Sequence, residues 1–148
     1  PQFSGTIVLA DGLSEEAAYT AEDGTEKKDT LIKAFENVKD GGTITLLDNV
    51  DVDGEKIKIT GPKTITLYGE NHTITLTSKG ICLPENVILN LGAADYTEKL
   101  TIKSIDDTSD ILNLQGSATL NMYDNVTLGP SKAGAQPGGG TFRWLRCF

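Results

Sequence analysis

The chain has 148 residues, 38% of them hydrophobic, enough for one domain with a modest core. Asp and Glu number 21 against 13 Lys and Arg, a formal net charge of −8, which excludes nonspecific attraction to nucleic acid or to anionic membrane. No apolar run approaches the roughly 18 residues of a membrane span, so membrane insertion is not expected.

The chain opens at Pro1 with no Met and no basic-then-apolar leader, as a processed or recombinant product does, so compartment has to be argued from other features. Cys82 and Cys147 are too few for a disulfide scaffold and too far apart for a C-x-x-C metal or redox pair. Leu, Ile, Val and Thr dominate while Ala is sparse after residue 34, a balance that favours strands.

In chain order, residues 3–9 have the character of a strand, and 11–28, acidic and Ala-rich, read as a loop or lead-in. Residues 29–39 carry Leu31, Ala34, Phe35 and Val38 at i, i+3, i+4 and i+7, the stripe of an amphipathic helix, with Asp29 as N-cap and Gly41 as C-cap. Such a helix ahead of a strand stack is suited to cover the stack's open end; the alternative is a partner-binding helix.

From Gly41 the sequence repeats a three-beat phrase about every 20 to 26 residues, the mark of a solenoid. The first column holds Ile44/Leu46, Ile65/Leu67, Leu89/Leu91 and Leu112/Leu114, guided by the echo of ILNL at 88–91 in ILNL at 111–114. The second holds Val50/Val52, Ile74/Leu76, Leu100/Ile102 and Leu120/Met122; the third holds Ile57/Ile59, Ile81/Leu83, Ile102/Ile105 and Val126/Leu128. Alternate positions are Thr, Lys, Asn or Asp, so each strand has an aliphatic inside and a wet outside. A single rung buries too little to offset its chain entropy and holds only when stacked. A flat β-sandwich is the rival fold and requires hairpin pairing between sequence neighbours instead.

The recurring strand phrases, the leading amphipathic helix and the GGTITL opening of the first rung resemble right-handed parallel β-helix domains of the pectin-lyase-like type, common in secreted and surface proteins of bacteria. The likeness covers about residues 29–142. It implies an all-β, right-handed parallel β-helix of about four rungs with an N-terminal capping α-helix, and a secreted or cell-surface location. The segments would be a strand and lead-in at 1–28, the capping helix at 29–40, rungs at 41–130, and a Gly-rich corner and tail at 131–148. Such modules include polysaccharide lyases and glycoside hydrolases, and also adhesins and stalks without catalysis.

The chemistry-bearing residues favour the second group. A lyase base is usually Arg or Lys, but both arginines, Arg143 and Arg146, lie in the tail, and Lys58, Lys79 and Lys103 read as solvated face lysines. Asp106-Asp107 resembles the acidic pair of polygalacturonases, yet the Gly-His-Gly and Arg-x-Lys elements of that family are missing, and His72 reads as a turn residue before Thr73. Asp51 and Asp53 imitate half of an EF-hand loop, a weak calcium pair, since Thr60 stands where the bidentate Glu belongs. No other cofactor is expected. Thr-x-Thr at 43–45, 64–66 and 73–75 is too short a ladder for an ice-binding face.

The expectation is a noncatalytic adhesion, glycan-binding or stalk module, with a fragment of a carbohydrate-active enzyme as the alternative. Its polar column, Thr45, Thr66, Asn90 and Asn113, would hydrogen-bond a glycan or surface protein. The RWLRCF tail reads as a cap on the last rung or as an end-to-end dimerising segment.

Overall fold

The computed structural model describes residues 15–105, 111–130 and 145–147. The strand expected at 3–9, the Asp106-Asp107 pair and the Gly-rich corner lie outside them. The elements in chain order are β1 (Ala17–Thr20), β2 (Glu26–Asp29), α1 (Leu31–Asn37), β3 (Thr43–Leu46), β4 (Val50–Val52), β5 (Lys63–Tyr68), β6 (His72–Leu76), β7 (Ile81–Leu83), β8 (Val87–Leu91), β9 (Leu100–Ser104), β10 (Leu112–Leu114), β11 (Thr119–Met122), β12 (Val126–Pro130) and β13 (Leu145–Cys147).

Three sheets result, ordered β11-β8-β5-β3-β1-β2, β12-β9-β6-β4 and β13-β10-β7. Every pairing among β3 and the later strands is parallel and joins distant segments, as Thr66 beside Asn90 and Asn90 beside Asn121. Among the described residues of this part, sequence neighbours form no hairpins, so the sandwich is excluded. Coils stacked in parallel make the chain a β-solenoid of about three turns. Alternation explains the interior: Ile65, Leu67, Leu89 and Leu91 are fully buried, while Thr66 and Asn90 between them point outward, half-buried.

The repeat is less even than its sequence suggests. Facing side chains are 24 residues apart at Thr66 and Asn90 but 31 apart at Asn90 and Asn121, because the segments joining β8 to β9 and β9 to β10 are both longer than those joining β5 to β6 and β6 to β7. The ILNL echo therefore does not mark a rung. Leu112/Leu114 pair with Ile81/Leu83 in the third sheet, Leu120/Met122 with Leu89/Leu91 in the first, and Val126/Leu128 with Leu100/Ile102 in the second. In the first column the register is also shifted, placing Ile44 beside Leu67 rather than Ile65. Ile57 and Ile59 are buried as expected but form no strand; a 3-10 turn, Gly54–Lys56, precedes them, closed by the Asp53 carboxylate accepting from Glu55 N–H at 3.0 Å.

Within the lead-in expected at 11–28, the described residues from 15 on form a hairpin. β1 lies antiparallel to both β2 and β3, so the N-terminal edge of the first sheet is extended rather than left open. Small residues permit this close fit: Ala17 and Ala18 are buried, and Tyr19 joins the core cluster.

α1 is shorter than the stripe suggested. Its N-cap is Thr30, whose Oγ1 accepts from Lys33 N–H at 3.2 Å, while Asp29 closes β2 and its carboxylate accepts from Thr30 N–H at 2.7 Å. The helix ends at Val38, in extended backbone, so Gly41 serves the following turn with φ 81°. Leu31, Ala34, Phe35 and Val38 are all fully buried, and the helix packs on β1, β2, β3 and β4. Thr30→Ala is expected to cost about 1 kcal/mol in a urea melt, because one orphan N–H of the first turn loses its acceptor.

Candidate functional site

The outer face of the first sheet carries the most regular polar arrangement among the described residues. One row crosses all six strands: Glu26, Thr20, Thr43, Thr66, Asn90 and Asn121. At a strand spacing of about 4.8 Å it is roughly 24 Å long. The side chains bond along the row: Asn121 Nδ2 donates to Asn90 Oδ1 at 2.8 Å, and Asn90 Nδ2 to Thr66 Oγ1 at 3.3 Å. At the other end the Thr20 and Thr43 hydroxyls are 3.4 Å apart, and Thr43 N–H donates to Thr20 Oγ1 at 3.3 Å. Each amide still has a second N–H, and each hydroxyl oxygen more than one bonding direction. The row is thus oriented by its own bonds and keeps capacity for a ligand.

A second row runs beside it through Lys28, Ala18, Thr45 and Tyr68. Ala18 is short, and over it lies a depression of about 220 Å³ lined by Ala18, Tyr19, Thr20, Glu26, Thr43 and Thr45. Tyr68 stands above the sheet with its ring against Tyr96, centroids 4.5 Å apart and planes tilted by 49°. Tyr96 reaches over from the β8–β9 corner; its hydroxyl donates to the Glu70 carboxylate and accepts from Glu70 N–H at 3.0 Å.

Burial of the Tyr96 ring, then the bond to Glu70, pushes its hydroxyl pKa well above the ordinary tyrosine value. A raised folded pKa means the neutral phenol is the form that folding favours. This stability is fully present below the unfolded value of about 10 and is lost as pH rises beyond it. In an alkaline absorbance titration Tyr96 is expected to ionise late, and Tyr96→Phe to remove that late phase.

Of the expected polar column, Thr66 and Asn90 are neighbours, but Thr45 and Asn113 are not part of it. Thr45 stands one pair along, beside Tyr68, and Asn113 lies in the third sheet beside Cys82, with its Oδ1 buried and without a hydrogen-bond partner. The true neighbours are Thr43 and Asn121. Asp51 is exposed on β4 opposite Thr75, and Asp53 Oδ1 is taken by Glu55 N–H and by Lys79 N–H at 3.3 Å. No group of three or more His, Cys, Asp or Glu side chains stands together among the described residues, so this pair lacks a third such ligand. His72 closes the turn that begins at Gly69 and opens β6, its backbone N–H donating to Gly69 O at 2.9 Å.

The asparagines at the corners escaped the sequence reading. An acidic residue, Asn, then Val or His opens β4, β6, β8 and β12, at Asn49, Asn71, Asn86 and Asn125. Asn71, Asn86 and Asn125 have φ of 68°, 69° and 71°, a conformation asparagine tolerates better than most. Asn49 Oδ1 accepts from Thr73 N–H at 2.9 Å, and Asn71 Oδ1 from Lys99 N–H at 2.8 Å, so corners are stitched turn to turn. The tripeptide recurrence was the available signal.

No protein-family model matches the chain, and neither curated proteins nor solved structures give a match.

Proposed function

We propose that the chain is a noncatalytic glycan-binding or adhesion module of a secreted or cell-surface protein, a right-handed parallel β-helix of the pectin-lyase-like type. The observation that carries this reading is the row from Thr20 to Asn121, whose side chains are hydrogen-bonded in two segments, Thr20 with Thr43, and Thr66 through Asn90 to Asn121. A rigid, evenly spaced set of hydroxyls and amides is suited to sugar hydroxyls, because the protein loses little side-chain freedom on binding. Tyr68 beside the row adds an aromatic ring of the kind that packs on the apolar face of a sugar.

On this reading α1 is a cap, its buried Leu31, Ala34 and Phe35 closing the first turn together with Val38 just after it, and the strands make four rungs, the last built from β11, β12 and β13. That last rung is the more exposed: Leu120, Val126 and Leu128 are half-buried and Met122 is 49% exposed. A second copy stacking end to end through the C-terminal tail would cover them. Calcium at Asp51 and Asp53 would be an accessory to binding, with no part in chemistry.

A glycan array run with and without calcium, on protein of known mass in solution, followed by product analysis on each ligand found, tests the proposal. Binding without turnover is the expected result. Cleavage, or an unsaturated uronate product, overturns it and turns attention to Asp106, Asp107 and the lysines.

A further inference from the structure

The edge strand β2 carries Glu26 and Lys28 outward, but on the other five strands of the first sheet, β1, β3, β5, β8 and β11, the outward positions are Ala, Thr, Tyr, Ile and Asn, with no charged side chain among them. In a chain that is 23% charged this is a selective absence, because solvent-facing strand positions ordinarily carry charge. On the second sheet charge does stand outward, at Asp51 on β4 and Lys103 on β9.

We infer that this face takes an uncharged, unbranched glycan lying across the strands, along the row from Thr20 to Asn121. The inference rests on the glycan-binding reading and names its ligand class. Covering a charged side chain with ligand costs free energy unless a counter-charge arrives with it. A surface of hydroxyls and amides escapes that cost when a neutral polyol supplies matching donors and acceptors. A uronate or sulfated chain meets the reverse condition: among the described residues no cation stands outward from β1 to β11, Lys28 on the edge strand β2 shares that strand with Glu26, and the body it approaches carries a net charge of −8.

The direction follows from the relief. Along the second row the surface is low over Ala18, rises at Tyr68 and falls again at Gly92, where Tyr123 stands in the next turn. A chain laid across the strands keeps its hydroxyls on the Thr and Asn row while its rings pass Tyr68. A chain laid along a strand would meet only two or three side chains of one rung.

Isothermal titration of the intact protein, at low salt, with a linear uncharged oligoglucoside and with an oligogalacturonate of the same length, tests this. The neutral sugar is expected to bind and the uronate to bind roughly tenfold or more weakly, its charges left unpaired. Tyr68→Ala and Thr66→Val should each weaken the neutral sugar, the first by roughly tenfold. Thr75→Val on the second sheet should leave it unchanged, and a thermal melt of each variant separates binding from folding. Uronate binding as tight as the neutral sugar, or indifference of the neutral sugar to both substitutions in folded protein, overturns the inference. A glycan array positive only for charged sugars would overturn it and leave the glycan-binding reading standing; an array silent throughout would remove both.

Discussion

Phe35→Ala is expected to lower the unfolding free energy by about 3 to 5 kcal/mol, the usual range for truncating a buried aromatic residue. Phe35 is fully buried and lies in the same cluster as Leu31, Val38, Ile44 and Ile65. A helix of seven residues does not hold itself in water, so α1 exists because its apolar stripe is buried. Removing the ring leaves a void between the helix and the first strands, where the hairpin of β1 and β2 also docks. Against a total stability of about 5 to 15 kcal/mol for a domain, such a loss shows clearly in the urea midpoint. Lys33→Ala is the matched control. The Lys33–Glu36 ion pair spans 3.2 Å with side chains 55% and 47% exposed, and exposed pairs of this kind contribute about 0.5 kcal/mol or less. Equal effects from the two substitutions would show that the helix is not held by its buried face.

Gly69→Ala is expected to cost about 2 to 3 kcal/mol, although Gly to Ala often stabilises by restricting the unfolded chain. A methyl group on Gly69 would stand 2.4 Å from the Lys99 carbonyl oxygen and 2.5 Å from Leu100 Cβ, both in the next turn. Backbone cannot rotate aside as a side-chain tip can. The two turns must separate, and β6 and β9 pair immediately after this corner. Gly129→Ala has nothing within 4 Å of the added methyl and should change stability by less than about 1 kcal/mol. The urea midpoints of the two variants decide the matter. A Gly69 variant as stable as the Gly129 variant would contradict the close stacking of successive turns.

What the sequence made legible follows from which signals are local. Alternation of Ile, Leu and Val with Thr and Asn is read within one strand, and it identified the inward residues of β3, β5, β6, β8 and β9. The stripe Leu31, Ala34, Phe35, Val38 is equally local and all four are buried. Register is a different matter, because it depends on the length of corners. Nothing in ILNL distinguishes β8 from β10; the pair lies one on the first sheet and one on the third within a single turn. Because Ile102 of β9 was made to serve the third column as well as the second, Leu112 and Leu114 were assigned to the first, and Asn113 entered the polar column in place of Asn121. The shift of two residues between Ile44 and Leu67 likewise moved Thr45 for Thr43. The β1–β2 hairpin was hidden for another reason. Its strands are short and its buried residues are alanines, so its place comes from the edge of β3 rather than from its own propensity.

The site was legible in kind, as outward Thr and Asn, and in two of its members, Thr66 and Asn90. Its tyrosines were not, since Tyr68 and Tyr96 are brought together by a corner.

The most direct test of the account is to follow side-chain amide resonances of labelled protein by NMR while the neutral oligoglucoside is added. Asn90 and Asn121, which share the row, are expected to shift together and saturably, while Asn113 on the third sheet stays still. Shifts confined to Asn113 or to the second sheet would contradict the assignment of the binding face.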